Sequence, residues 1–331
     1  MALLVGIDEA GYGPHLGPLV VAGAAVEFNG ASVPAPDLWG AMGEWVVRRT
    51  AGAADRVVIC DSKKAFVSSD RARGIVTLER AVLGFLTAAS VRPRTLAEFL
   101  EQTRAGPASP AAEEAAPWDR PERLALPLQA APQAVESAAD LLARGFAAVG
   151  GRAAHLWVSA VPAAYLNRLM DGAGRNKAQA LFMVAAEVLS AARGFRPRDP
   201  VFVTMDQHGG RKYYADLLAG AFPMHQVRTV EESADGSRYV LDGGAGGSGA
   251  PMHLTVCEKC EAWSLVTALA SMAAKYVREL CMDEFNEYFA ERVPGLKPTA
   301  GYGRDATRFL AETAAARAAA EMPLEVVLRL R

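Results

Sequence analysis

Leu3-Leu4-Val5-Gly6-Ile7-Asp8-Glu9-Ala10-Gly11-Tyr12-Gly13 begins as a short apolar run and ends in two adjacent carboxylates and a tyrosine between glycines. The apolar part has the length and composition of a buried strand. After a Gly/Pro-rich turn, residues 18–28, dominated by Val and Ala, read as a second strand beside the first. Two acidic side chains in succession at the end of a buried strand can hold divalent metal if the sheet brings a third carboxylate near. A solvated turn explains the same pair if no third arrives.

The rest of the chain alternates between the two periodicities. Residues 68–89 are a predicted helix, with Ser68, Ser69 and Asp70 as possible caps and Ile75, Leu78, Val82 and Phe85 at helical spacing. Residues 92–133 are rich in Ala, Pro and Glu, with five prolines between 107 and 127, which predicts an irregular insertion. A helix over 134–149, a strand over 154–161 and a long helix from the Asn176 cap to about residue 193 follow. Residues 200–205 then read as a buried strand that delivers Asp206 at its carboxyl end, the edge where α/β sheets place chemistry. A further strand is expected near 224–230, and a Gly-rich tip at 243–249 separates hairpin strands 238–241 and 252–256. Residues 261–289 form a predicted helix with Leu265, Leu269, Met272, Tyr276 and Leu280 on one stripe. The alternation implies an α/β fold around one mixed sheet.

A chain of 331 residues that is 51% hydrophobic can bury a large core. A net charge of −2 exerts no general pull on a polyanion, so such a partner must be held by a local patch or through metal. No run approaches the ~18 apolar residues that span a bilayer, and the N-terminal run lacks a basic leader, so a soluble, cytoplasmic protein without a membrane partner is expected. Four cysteines are too few to staple this chain, and reduced thiols are expected. Cys257 and Cys260 form a CxxC that invites a zinc or redox reading, but no second ligand pair is visible for zinc.

The opening segment, continued through Pro14 and Gly17-Pro18-Leu19-Val20-Val21-Ala22, resembles the signature of ribonucleases HII and HIII, the type 2 ribonuclease H family. Asp61-Ser62-Lys63-Lys64, Asp206, Lys259-Cys260-Glu261, Ala270-Ser271-Met272-Ala273-Ala274-Lys275 and Gly301-Tyr302-Gly303 match the family's later blocks in the same order. The resemblance implies a ribonuclease H-like fold with a central mixed five-stranded sheet flanked by helices. Residues 1–291 would form the catalytic domain, with the insertion at about 92–133 and a Gly-rich hairpin at about 231–256, and 292–331 a helical extension.

By position, Asp8, Glu9, Asp206 and Glu261 would be the catalytic carboxylates that bind two divalent ions, Mg²⁺ or Mn²⁺. Glu at the last position is the HIII choice, whereas a catalytic strand beginning at Leu3 leaves the HII architecture. Glu279 is a rival fourth ligand; on a continuous helix it would lie ~27 Å from Glu261, so a structural ion pair is its expected role. Gly11, Tyr12 and Gly13 would face the ribose 2′-hydroxyl, Ser62, Lys63 and Lys64 the substrate phosphates, and Tyr302 a sugar beside the cleavage site. Tyr12 stands where the family has arginine, which removes a charge-assisted phosphate contact. Arg211-Lys212 would extend the basic patch, and His208 belongs to no part of the pattern.

The function implied is an endoribonuclease that cuts the RNA strand of RNA–DNA hybrids, or a ribonucleotide-containing duplex, leaving 3′-hydroxyl and 5′-phosphate ends. A nuclease of this fold with another nucleic-acid substrate, and a binding module without catalysis, are the alternatives.

Overall fold

The computed structural model describes residues 1–30, 37–49, 55–106, 116–243 and 249–330. Its strands are β1 (Ala2–Ala10), β2 (Leu19–Phe28), β3 (Val46–Val47), β4 (Val57–Val58), β5 (Gly151–Val161), β6 (Val201–Asp206), β7 (Val227–Glu232), β8 (Ser237–Leu241) and β9 (Met252–Cys257). The helices are α1 (Leu38–Ala41), α2 (Ser62–Ala65), α3 (Arg71–Ala88), α4 (Leu96–Gln102), α5 (Pro132–Ala148), α6 (Ala163–Gly172), α7 (Lys177–Phe195), α8 (Ala215–Ala221), α9 (Leu265–Ala290), α10 (Gly303–Glu312), α11 (Ala314–Ala319) and α12 (Leu324–Val327).

The opening run is the middle of a mixed sheet of order β5-β2-β1-β6-β9-β8-β7. β2 runs against both β1 and β5, whereas β1, β6 and β9 are parallel. The sheet has seven strands rather than the expected five. β7 and β8 supply the difference, because β8 pairs antiparallel with the edge of β9 and β7 with β8, which covers hydrogen-bonding groups that β9 would otherwise leave unpaired. The Gly-rich tip lies at 244–248, outside the described residues.

Helices cover both faces. α3, α5 and α9 bury Phe85, Phe146, Leu269 and Tyr276 on one side, and α6, α7 and α8 bury Met170, Phe182, Val188 and Leu218 on the other. α7 has the length and mean hydropathy of a bilayer-spanning helix, contrary to the expectation that no such run exists. Its apolar residues instead pack as core: Leu181, Val184, Val188 and Leu189 are fully buried. α9 lies directly on β1 because Gly6 has no side chain; a Cβ there would collide with the backbone of Val266 and Thr267.

The described parts of residues 92–133, 92–106 and 116–133, are more ordered than their composition suggests. α4 buries Leu96 and Phe99 completely, and Trp118 packs edge-on against Phe285 at 4.9 Å. The buried Glu79 carboxylate accepts the backbone N–H groups of Leu128, Gln129 and Ala130 and the Tyr276 hydroxyl, so four donors tie the segment to the core. Alternating proline with large apolar anchors is compatible with a packed strap, and the anchors decided the outcome. The part at 107–115 lies outside the described residues.

The predicted helix over 261–289 starts later, at Leu265. A 3₁₀ turn, Cys260–Ala262, precedes it, and Ser264 caps it by accepting Thr267 N–H at 3.3 Å.

Candidate active site

Parallel pairing of β1 with β6 aligns Ile7 with Met205, so the next residues, Asp8 and Asp206, leave adjacent strand ends together. One strand further out, Asp206 is in register with Cys257, and the turn after β9 carries Glu261 back toward it. Cys260 N–H donates to Asp206 Oδ1 at 3.0 Å. A Cys257–Cys260 disulfide closes this turn, so these thiols are not the reduced pair expected. The two cysteines sit close enough to bond because one ends the strand and the other begins the turn. Asp8 is held from the other side: the Ser271 hydroxyl on α9 is hydrogen-bonded to its carboxylate and to Ser62 Oγ, the latter at 3.0 Å.

The fields of these groups overlap. Burial raises Asp8 well above the usual carboxylate range, and the charges of Glu9 and Asp206 raise it further. Glu9 is pushed up to about 7, first by burial and then by Asp206, with Lys63 opposing. Asp206 is pushed up to about 6 by burial, with Glu261 adding to the rise and the Cys260 N–H resisting it. Glu9 Oε2 is buried and has no hydrogen-bond partner among the described residues. A buried carboxylate oxygen without a donor, surrounded by like charge, costs free energy that only an added cation or proton relieves. Among the described residues no three His, Cys, Asp or Glu side chains already converge as a finished metal cage. The donor set is nevertheless all oxygen and uncompensated, which fits hard divalent cations rather than zinc.

No protein-family model matches the chain, and no curated protein does. Among solved structures, it is similar to the PCNA:RNase HII complex from Archaeoglobus fulgidus, at 15% identity and a TM-score of 0.45, over 99% of this chain and 94% of that one. It is also similar to Bst-RNase HIII in complex with Mn²⁺, at 14% identity and a TM-score of 0.40, over 99% of this chain and 66% of that one. Ribonuclease H2 from Pyrococcus horikoshii OT3 is similar at 13% identity and a TM-score of 0.39, over 98% of this chain and 92% of that one. The functional reading rests on the chain's own residues.

The glycine segment borders the carboxylates. Gly11 adopts a φ of 88°, and a Cβ there would lie 2.6 Å from both Arg278 Nε and Pro18 O. Tyr302, 51% exposed, lies beside Gly13, whose added Cβ would meet its ring at 3.6 Å. Tyr12 folds over the loop after β6, where a Cβ on Gly209 would collide with its hydroxyl, and Lys177 Nζ sits 4.9 Å from its ring centroid.

The Asp61-Ser62-Lys63-Lys64 block divides. Asp61 caps α2 by accepting Lys63 N–H at 3.0 Å, and exposed Lys63 acts on Glu9. Lys64 is exposed and acts on Cys60. Ser62 is buried against Ser271, so it reaches the site through Asp8 and not from solvent, a correction to its expected substrate contact. Glu279 pairs with Lys275 at 2.5 Å and stands 3.9 Å from both Arg71 and Arg278, which makes it part of an ion-pair network. His208, outside the family pattern, is a core residue: it is buried against Phe182 and Tyr214, and burial lowers its imidazole to about 3.

Two arginines were not foreseen. Arg278, 1% exposed, donates to the carbonyls of Leu16 and Ala300 at 3.4 and 3.2 Å. Arg329, 2% exposed, donates to the carbonyls of Gly11, Gly17 and Pro14, while its own N–H donates to His15 O at 2.9 Å. The C-terminal segment thus clamps the glycine loop. Burial lowers Arg329 to about 9, helped by the charge of Arg278.

Proposed function

We propose that this chain is a metal-dependent endonuclease that hydrolyses the RNA strand of RNA–DNA hybrids, leaving 3′-hydroxyl and 5′-phosphate ends. The observation that carries the reading is the group of three carboxylates, Asp8, Glu9 and Asp206, at neighbouring strand ends and mutually repelling, with Glu261 acting on Asp206 from the turn after β9 and one buried oxygen of Glu9 lacking any donor. Asp8, Glu9, Asp206 and Glu261 would hold two divalent cations, Mg²⁺ or Mn²⁺. The chemistry such ions supply when bound is activation of water and relief of charge on the phosphodiester.

The chain's own residues supply position. The Ser62–Ser271 hydroxyl pair fixes Asp8, and the Cys260 N–H fixes Asp206. Gly13 leaves its backbone open to a 2′-hydroxyl beside the Tyr302 ring, and Gly11 lets the chain turn against Arg278 and Pro18, where no Cβ fits. Tyr302 offers an exposed ring next to that approach. Lys63 brings positive charge to the rim beside Glu9. A pure binding surface would gain nothing from buried negative charge facing phosphates.

End-labelled RNA–DNA hybrid, DNA with one embedded ribonucleotide, plain DNA and plain RNA, each with Mg²⁺, Mn²⁺ or EDTA, form the test. Metal-dependent cutting of the hybrid that disappears in Asp206→Asn supports the reading. Cutting confined to plain DNA or RNA replaces it with another nuclease activity, and binding without cutting replaces it with a binding role.

A further inference from the structure

Beyond Asp206 the chain forms a loop that the carboxylate chemistry does not use. Gly209 and Gly210 both take left-handed backbone conformations, with φ of 54° and 81°, and turn the chain so that Arg211 and Lys212 follow at once. With Asn176 and Ala178 at the start of α7, these residues line a shallow surface depression of about 380 Å³ that is wide open to solvent. Tyr213 completes its wall and is 58% exposed.

The site is electropositive and uncommitted. Among the described residues, neither Arg211 nor Lys212 forms an ion pair, and Arg211 Nε is buried without an acceptor. Arg80, Arg278, Arg317 and Arg329 also have a buried nitrogen without a partner, but Arg211 is the one of them that lines this open depression, where an incoming anion can reach the guanidinium. The protein carries a net charge of −2, so this local concentration of positive charge is not a general property of its surface.

Tyr12 connects the site to the carboxylates. Its hydroxyl packs on Gly209, its ring faces Lys177, and its phenol responds to both Glu9 and Arg211. A strand of nucleic acid laid across the carboxylates and past Tyr12 therefore meets Arg211 and Lys212 next.

We propose that this cup binds a backbone phosphate flanking the one at the carboxylates, so that Arg211 and Lys212 make the charge-assisted contact that Tyr12 cannot. Arg211 is suited to the task because its planar fork can grip two phosphate oxygens, and Lys212 adds a mobile charge at the rim. The proposal rests on the nuclease reading for its substrate, but the contact itself is independent of cutting.

Binding of a fluorescent hybrid duplex and of plain duplex DNA, followed by anisotropy in EDTA over a salt series, tests it. For Arg211→Ala and Lys212→Glu the expected result is weaker binding of both duplexes and a salt slope shallower by about one per lost phosphate contact. Arg211→Lys should recover part of the slope. In cutting assays with metal, KM should rise several-fold while kcat changes little. Lys212 is exposed, so its variant keeps the fold, and circular dichroism checks both.

An unchanged slope in both variants overturns the cup even where the wild type cuts hybrids. A reduced slope upholds it even where no hybrid is cut, in which case only the hybrid-cutting reading fails.

Discussion

The opening segment passes between two buried groups of charge that are built in opposite ways. Asp8, Glu9 and Asp206 share few donors and raise one another's proton affinity. Arg278 and Arg329 are buried more deeply still, yet each is surrounded by carbonyl oxygens of the glycine loop and its neighbours. Both clusters cost desolvation; the arginines recover most of it through those carbonyls, with only Arg278 Nε and Arg329 Nη2 left without a partner among the described residues, whereas the carboxylates face one another's charge and recover little. Buried charge that the fold satisfies is structural, whereas buried charge left unsatisfied is kept for something that arrives from outside.

That contrast can be broken by substitution. The largest effect expected is on catalysis: Asp206→Asn should reduce metal-dependent cutting of a hybrid to background without lowering Tm. A fall in Tm would mean that the carboxylate is structural after all. Arg329→Ala should do the reverse, lowering unfolding free energy in urea by about 3 kcal/mol because three carbonyls lose their donor. Normal stability in that variant would remove the arginine half of the comparison.

A smaller effect sharpens the carboxylate half. Glu9 keeps its proton to about pH 7 in the folded chain, against 4.5 for an ordinary glutamate, so the folded state binds more protons within that window. Stability from this group is therefore present below 4.5 and lost as pH rises through 7. Glu9→Gln should stabilise the protein in EDTA by about 2 kcal/mol at pH 8, and the advantage should vanish in acid. A pH-independent difference in Tm would contradict this account.

The smallest effect concerns the turn that carries Glu261. Reducing the Cys257–Cys260 bond, or Cys257→Ser, should lower cutting a few-fold while changing global stability by less than about 2 kcal/mol, since the bridge closes a very short loop. Equal activity in both redox states would show that the 3₁₀ turn positions Glu261 unaided.

The two clusters also differ in how far they could be read from the chain alone. Asp8, Glu9 and Asp206 follow apolar runs of strand length, so local pattern placed them at strand ends, and parallel pairing did the rest. Arg278 and Arg329 carry no local signal: an arginine on a helix or in a tail ordinarily reads as a solvated residue, and their acceptors lie up to 318 residues away. Residues 92–133 failed for a related reason, because Pro and Ala content outweighed the few anchors, Leu96, Phe99 and Trp118, that hold the segment down. Ser62 matched a motif position correctly in sequence but faces Ser271, a relation that only the packing of α2 on α9 creates. The two extra strands had local signals, β7 as the strand near 224–230 and β8 as the first arm of the 238–241 and 252–256 hairpin, and only the pairing of β7 with β8 and of β8 with β9 made them part of the central sheet.

Arg329 has a consequence for the order in which the molecule is completed. A ribosome delivers the glycine loop early and residue 329 late, so throughout synthesis the carbonyls of Gly11, Pro14 and Gly17 wait for donors that have not been made. A chain halted before that point would own Asp8, Glu9, Asp206 and Glu261 yet lack the lock on the glycine loop beside them. Segments up to 318 residues apart are thus joined in one device, and the glycine loop is locked only when the chain around Arg329 folds back onto it.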